Sequence, residues 1–193
     1  MHPFQTYIRS FTPLPAADWE QILPCLERRT FQKGDQLLVP GKICRTLSFL
    51  ESGLLRFYVE TDGEDRTNFF TLPPYAFTSQ RSFSRELPAE EGIEALADGV
   101  LWAINRADTY RLLEQLPSWS NFIRELIQEV QYNTQQILEA AQSESPEARY
   151  RAMLQAQDPL LQRVPLKYLA SYLGIAPQSL SRIRKRVMTE RGS

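Results

Sequence analysis

Histidine and cysteine are almost missing from this chain: His2 is the lone histidine, and Cys25 and Cys44 are the only cysteines. A structural zinc site needs four Cys or His ligands and an iron–sulfur cluster needs about four thiolates, so neither centre can be assembled. Haem is not expected either, because His2, Cys25 and Cys44 offer no evident axial ligand set. Two thiols also make no disulfide framework, and both are expected to be reduced and structural. Without a usable histidine we find no nucleophile, base and orienter set, so an enzyme is not expected. No apolar run approaches the roughly 18 residues of a membrane span. The opening MHPFQTYIRS lacks the apolar core of a signal peptide. The expectation is a cytoplasmic protein with no membrane partner.

A net charge of −1 and a pI near 6.0 exclude a binder that works by overall charge. The average conceals an asymmetry, since Arg182, Arg184, Lys185, Arg186 and Arg191 crowd the C-terminus. With 193 residues, 42% of them hydrophobic, the chain can build one substantial core and a small second domain. The expected boundary lies near Ser143, giving 1–142 and 143–193.

The smaller unit carries the most specific pattern, VPLKYLASYLGIAPQSLSRIRKR from Val164 to Arg186. Leu166, Leu169, Ala170 and Leu173 recur at i, i+3, i+4 and i+7, one helical face. Gly174 ends that helix in the left-handed conformation that only glycine enters without steric cost. Pro177 suits the first position of a second helix, in which Leu180, Ile183 and Val187 face inward. Pro177, Gln178, Ser181, Arg182 and Lys185 share the other face. Two short helices hinged in this way have the shape of a DNA-reading helix-turn-helix. Arg182 can fork onto guanine O6 and N7, and Gln178 can pair adenine N6 and N7 or a phosphate. Ser179, Arg184, Lys185 and Arg186 are expected to meet phosphates, which supply affinity and salt dependence more than sequence choice. The plain alternative is a solvated basic face.

Before that unit, the pattern predicts an N-terminal helix within Phe4 to Arg28, with Pro13 and Pro15 ahead of Asp18, Trp19, Ile22 and Leu23. Short β-rich runs follow at Gln36–Val39, Thr46–Leu50, Leu54–Val59, Thr67–Leu72, Ile93–Leu96 and Val100–Ile104. Turn residues separate them, at Gly34-Asp35, Pro40-Gly41, Gly53, Asp62-Gly63, Pro73-Pro74 and Asp98-Gly99. Such spacing predicts an antiparallel double-stranded β-helix, or jelly roll, which solves the edge problem by closure. The fold class is thus α+β, a jelly roll with flanking helices. A short helix is predicted over Ala107–Leu116 and a long one over about 118–142. In the long helix Trp119, Ile123, Leu126, Val130, Asn133, Ile137 and Ala140 step by four and three, the seam of a dimerising coiled coil. A second row, Phe122, Ile127, Thr134 and Leu138, can cover the sheet. Both rows could instead be core of one chain. Ser145 is expected to cap a helix starting at Pro146 with Glu147 in its first turn.

This order of elements resembles the bacterial Crp/Fnr family of transcription regulators over essentially the whole chain. Phe31-Gln32-Lys33-Gly34-Asp35 is similar to the family's early strand-turn, Glu51-Ser52-Gly53-Leu54-Leu55-Arg56 to its barrel hairpin, and Leu169 through Arg186 to its DNA-binding helices. The resemblance implies a homodimer that places its second helices in the major groove of a pseudo-palindromic double-stranded site, with RNA polymerase as a further partner. Three departures accompany it. Ala176 stands where the family usually has a Ser or Thr cap. The chain ends at Ser193, so the family's β-hairpin wing is expected to be absent or vestigial. In the stretch matching the cyclic-nucleotide pocket, Thr78, Ser79, Gln80, Arg81, Arg85, Glu90 and Glu91, the family's Gly-Glu pair is missing. Glu90 and Glu91 stand where a phosphate-binding arginine belongs, and carboxylates repel phosphate. Cyclic AMP is therefore not the expected effector, and any small-molecule effector is unknown. The competing expectation is a ligand-binding or protein-interaction module with little affinity for DNA.

Overall fold

The computed structural model describes residues 1–61 and 63–191. Asp62 of the expected turn and Ser193 lie outside the described residues, as does the side chain of Arg191.

The N-terminus is two helices rather than one, α1 (Pro3–Phe11) and α2 (Ala16–Ile22), followed by a 3-10 turn over Leu23–Cys25. His2 caps α1, its Nδ1 accepting from the Phe4 N–H at 3.2 Å. Pro13 and Pro15 divide the helices. Thr12, just before Pro13, is forced into extended geometry (φ −154, ψ 152), because a following proline ring disfavours the helical region. Arg28 lies not in a helix but in the first strand, β1 (Glu27–Phe31).

The remaining strands are β2 (Gln36–Leu38), β3 (Thr46–Thr61), β4 (Glu64–Thr71), β5 (Tyr75–Phe77) and β6 (Glu91–Asn105). They form an antiparallel sheet in the order β1-β6-β3-β4, with β2 also on β6 and β5 also on β3. The expected pairs of short strands are in fact two long strands, β3 of 16 and β6 of 15 residues, paired from Thr46↔Asn105 to Val59↔Glu91. Gly53 does not end β3. Register shifts between Leu50 and Leu55 mark an irregularity that bends the strand and lets it continue.

That irregularity also exchanges the faces of β3. Before it, Thr46, Ser48 and Leu50 point into the sheet's interior and Leu47 and Phe49 point out; after it, Leu55 and Phe57 point in and Leu54 and Arg56 point out. One interior core therefore serves the whole sheet, with Phe31, Leu38, Leu50, Leu55, Phe57, Phe77 and Ile93. Its outer face is covered twice. At one end lie α1, α2, α4 (Arg106–Gln115) and the start of α5 (Pro117–Ser143), packing Phe4, Ile8, Ile22, Leu112, Trp119 and Phe122 on Phe49 and Ile104. At the other end the C-terminal helices pack Tyr150, Leu169, Leu173 and Leu180 on Leu54 and Leu96.

The long helix departs from the expected seam. Trp119 (0% exposed) and Leu126 (6%) are buried with α1 and the sheet, which leaves them no surface for a partner. Asn133 is exposed and donates to Glu129 Oε1 at 3.2 Å. Of the second row, only Phe122 covers the sheet, while Ile127, Thr134 and Leu138 are exposed. The apolar stripe left open runs Ile123, Ile127, Val130, Thr134, Ile137, Ala141, with Leu138 beside it, again in steps of four and three.

Candidate nucleic-acid interface and sheet cavity

The C-terminal helices are α6 (Pro146–Gln155), α7 (Leu160–Arg163), α8 (Leu166–Leu173) and α9 (Pro177–Arg191). Ser145 caps α6, its Oγ accepting from the Ala148 N–H at 3.1 Å. Gly174 adopts φ +75, and the Ile175 N–H reaches back to the Ala170 carbonyl at 3.0 Å, the 6→1 bond of a glycine-terminated helix. The chain then turns into α9. Ala176 offers no side-chain cap, but its carbonyl accepts the Leu180 N–H at 3.2 Å and so starts the helix from the backbone.

Leu180 (0% exposed) and Val187 (2%) fix α9 against the helices behind it. This turns Pro177, Gln178, Ser179, Arg182, Arg184 and Lys185 to solvent, with Ser181 half-buried among them. The expected reading face is therefore one continuous exposed surface. Arg186 is held differently: it forms an ion pair with Glu147 in the first turn of α6. Arg151 bridges Glu147 at 2.8 Å and Glu190 at 2.6 Å, so these acids bind α9 to α6. Arg182, Arg184 and Lys185 remain the cations displayed by the face.

The residues expected around an effector are not brought together. The sheet encloses a cavity of about 300 Å³, and of those residues only Thr78 lines it. Gln80, Arg81 and Arg85 sit on α3 (Gln80–Arg85) and are exposed. Arg81 is ion-paired with Glu90 at the surface. Glu91 opens β6, and Ser79 is buried, its Oγ without a partner among the described residues. The residues that do line the cavity include Gln36, Cys44, Thr46, Ser48 and Ile93. Thr78 Oγ1 donates to the Thr46 carbonyl at 2.9 Å and lies 3.4 Å from Cys44 Sγ. The signal that could have found them is the alternation Thr46-Leu47-Ser48, which places two hydroxyls on one face of an otherwise apolar strand. The two charged residues on the lining, Arg29 and Asp35, are exposed. Cys25, apart from the cavity, accepts from Arg111 Nη2 at 3.0 Å, and burial pushes its thiol above the usual range.

Residues 28–116 match the family of cyclic nucleotide-binding domains. No curated protein matched the chain by sequence. Among solved structures, a c-di-GMP-responsive global regulator, CLP, of Xanthomonas campestris aligns with a TM-score of 0.74 at 15% identity, over 91% of this chain and 93% of its own. A protein from Eubacterium rectale assigned as a transcriptional regulator of the Crp/Fnr family aligns at 0.73 with 20% identity, over 92% and 85%. This chain has the Crp/Fnr fold. The catabolite activator protein of Thermus thermophilus shares that fold as well, at 22% identity and a TM-score of 0.58, over 93% of this chain and 86% of its own. Within the Crp/Fnr fold, the matched residues 28–116 run from the second residue of β1 past the end of α4 and contain all of the sheet but Glu27, with its cavity. The α8–α9 pair lies beyond the match, so its reading rests on its own geometry. Among the described residues no helix is long and apolar enough to cross a membrane.

Proposed function

We propose that the chain is a sequence-specific, DNA-binding transcription regulator that acts as a homodimer. The observation that carries this reading is the exposed face of α9, where Gln178, Arg182 and Lys185 follow a Gly174 hinge and stand clear of the chain's own core. A helix so presented enters the major groove with its N-terminal residues toward the bases. The jelly-roll unit over 1–142 would serve as sensor and dimerisation platform, and the helix-turn-helix over 143–193 as reader. Two readers about 34 Å apart suit a pseudo-palindrome. The open stripe of α5 would join the two copies.

The effector, where there is one, would be a small uncharged molecule in the sheet cavity. Hydroxyls, Gln36 and apolar side chains line that space together with the exposed Arg29 and Asp35, while Arg81 and Arg85 lie outside it and Arg81 is already answered by Glu90. A cyclic phosphate needs a guanidinium or a nest of amides aimed inward; the one guanidinium on the lining, Arg29, is exposed and shares the lining with the Asp35 carboxylate, so the cavity suits a phosphate poorly. Selection of bound duplexes from a random-sequence pool tests the DNA reading: recovery of an inverted repeat supports it, and failure of the folded protein to enrich any half-site refutes it. Calorimetry with cyclic AMP and cyclic GMP tests the pocket, where micromolar binding would overturn the neutral-effector reading.

A further inference from the structure

Arg56 is the most heavily engaged charge in the molecule and has no place in the site described so far. It projects from β3 toward the C-terminal helices and is fully buried, 0% exposed. Its Nε donates to Thr67 Oγ1 at 2.8 Å, and its Nη1 donates to Asp65 Oδ2 at 2.8 Å and to Glu94 Oε2 at 2.9 Å. The guanidinium lies over two rings, Tyr58 of the sheet at 4.8 Å and Tyr168 of α8 at 3.9 Å. Tyr168 Oη also donates to Glu94 Oε1 at 3.4 Å. Around this centre the Thr67 N–H donates to Ser171 Oγ at 2.9 Å, Arg163 Nη2 donates to the Gly53 carbonyl at 3.2 Å, and the rings of Phe70 and Tyr172 meet at 5.6 Å.

The partners divide by origin. β4 and β6 supply the hydrogen-bond acceptors and β3 the Tyr58 ring, while α8 supplies the ring that closes over the charge. A guanidinium is costly to bury and is tolerated where carboxylates and aromatic faces replace water. Here Nη2 has no hydrogen-bond partner among the described residues, and Tyr168 closes the guanidinium off from water only while α8 is docked; with α8 withdrawn, the same cation would be solvated on its open side. This polar cluster lies beside the apolar contact of Leu54 and Leu96 with Leu169 and Leu173, so it adds to the hold on α8 without being its sole source. The same strands carry a connection to the cavity. Tyr58 Oη donates at 3.0 Å to Oε1 of Gln36, which lines the cavity, and Glu94 follows Ile93, which lines it too. Strand alternation places Ile93 on the cavity side and Glu94 on the α8 side of the same strand.

We propose that Arg56 clamps the α8–α9 unit onto the sheet, and that Gln36 and Tyr58 tie this clamp to the contents of the cavity. Material that displaces Gln36 or Ile93 shifts the two supports of the guanidinium, Tyr58 and Glu94, and so changes how firmly α8 is held. The consequence for DNA rests on the reading of α9 above, but the clamp does not.

Hydrogen exchange of the full chain, read by mass spectrometry with neither DNA nor effector present, tests the clamp separately from DNA binding. Tyr168→Ala removes the closing ring from the half-buried side of α8, and Arg56→Met removes the charge. Each is expected to speed exchange at least about tenfold across 166–173 and 64–71 while leaving β1 protected, with the double variant little worse than either single one. Should Arg56→Met fail to fold, Tyr168→Ala alone decides. Exchange within twofold of wild type in folded Tyr168→Ala overturns the clamp. Gln36→Ala is expected to speed exchange across 166–173 severalfold, and an unchanged rate there overturns the tie to the cavity.

Discussion

Replacing Ile137 and Leu138 together by glutamate should dissociate the proposed dimer and leave the fold intact. Ile137 lies on the open stripe of α5 and Leu138 beside it, 38% and 55% exposed in the single chain, so the exposed parts amount to about one whole large apolar side chain per protomer. Burying such a side chain stabilises by about 1.5–3 kcal/mol, so two protomers lose about 3–6 kcal/mol of association energy. At about 1.4 kcal/mol per tenfold, the dimer dissociation constant should rise between about a hundredfold and ten-thousandfold, before any repulsion among the four added carboxylates. Sedimentation velocity over a concentration series reads the change directly. Thermal unfolding of the variant at concentrations where wild type is monomeric should stay within about 4 °C, because neither residue is part of the chain's own core, two surface changes usually cost less than about 1 kcal/mol together, and that amount shifts a domain of this size by about 2–4 °C. The contrasting change, Leu126→Ala, removes a residue only 6% exposed and should lower stability by about 2–5 kcal/mol. The reasoning fails if the glutamate pair leaves the dissociation constant unchanged, for the stripe would then face no second copy.

Arg182→Ala should weaken binding to a selected site by about 1–3 kcal/mol and relax the preference at one base pair. Lys185→Ala should instead weaken binding evenly across sequences and lower the salt slope by about 1, as titrations at several salt concentrations would show. Equal losses on specific and random DNA for both variants would remove Arg182 from base reading. For the clamp, hydrogen bonding from Arg56 holds the Asp65 carboxyl below its ordinary 3.8, against the opposing effect of burial. A carboxyl depressed in the folded state contributes stability that is present above about pH 4 and is lost as pH falls through its lower folded value. With Arg56, Glu94, Tyr58, Tyr168 and Lys167 around it, wild type should therefore lose more melting temperature between about pH 5 and pH 2 than Asp65→Asn does; parallel curves would exclude Asp65 as a contributor. Gly92 stands opposite Tyr58, and a Cβ added there would lie 2.3 Å from the tyrosine Cζ. Gly92→Ala should push Tyr58 off the guanidinium and cost about 1–3 kcal/mol in thermal unfolding, whereas an unchanged melt would mean that the ring has room to move.

Local signals explain why the hinged α8–α9 pair was legible in the sequence and the interior of the sheet was not. Gly174, Pro177 and the spacing of Leu180, Ile183 and Val187 each act within a turn or two, so the hinge and the exposed face of α9 follow from neighbours in the chain. The sheet depends on longer-range pairings. Gly53 and Asp98-Gly99 have turn chemistry, yet each sits within a long strand because pairing between β3 and β6 persists past it. That single irregularity exchanges the parity of inward residues, which is why Thr46 and Ser48 reach the cavity while Arg56 leaves it. The same distance problem hid the cavity lining, since Gln36, Cys44 and Ile93 converge only once the sheet has bent.

The long helix shows the limit of periodicity most sharply. Steps of four and three identify a seam but do not say what fills it, and two such rows run side by side along α5. Trp119 and Leu126 share their row with Phe122 nearby, and that row meets α1 and the sheet for its first turns, where aromatic partners wait at Phe4 and Phe49. The core ends by Val130, but the apolar pattern does not. What continues, Thr134, Ile137, Leu138 and Ala141, is carried by 27 residues of helix that reach past the sheet's cover to Ser143. A helix held at one end and apolar along the other has no intrachain use for the second half of its stripe. Rotation of the open row, from Trp119-Leu126-Asn133 to Ile127-Thr134-Ala141, thus lets one helix serve its own core first and leaves its second half free for the second copy proposed above.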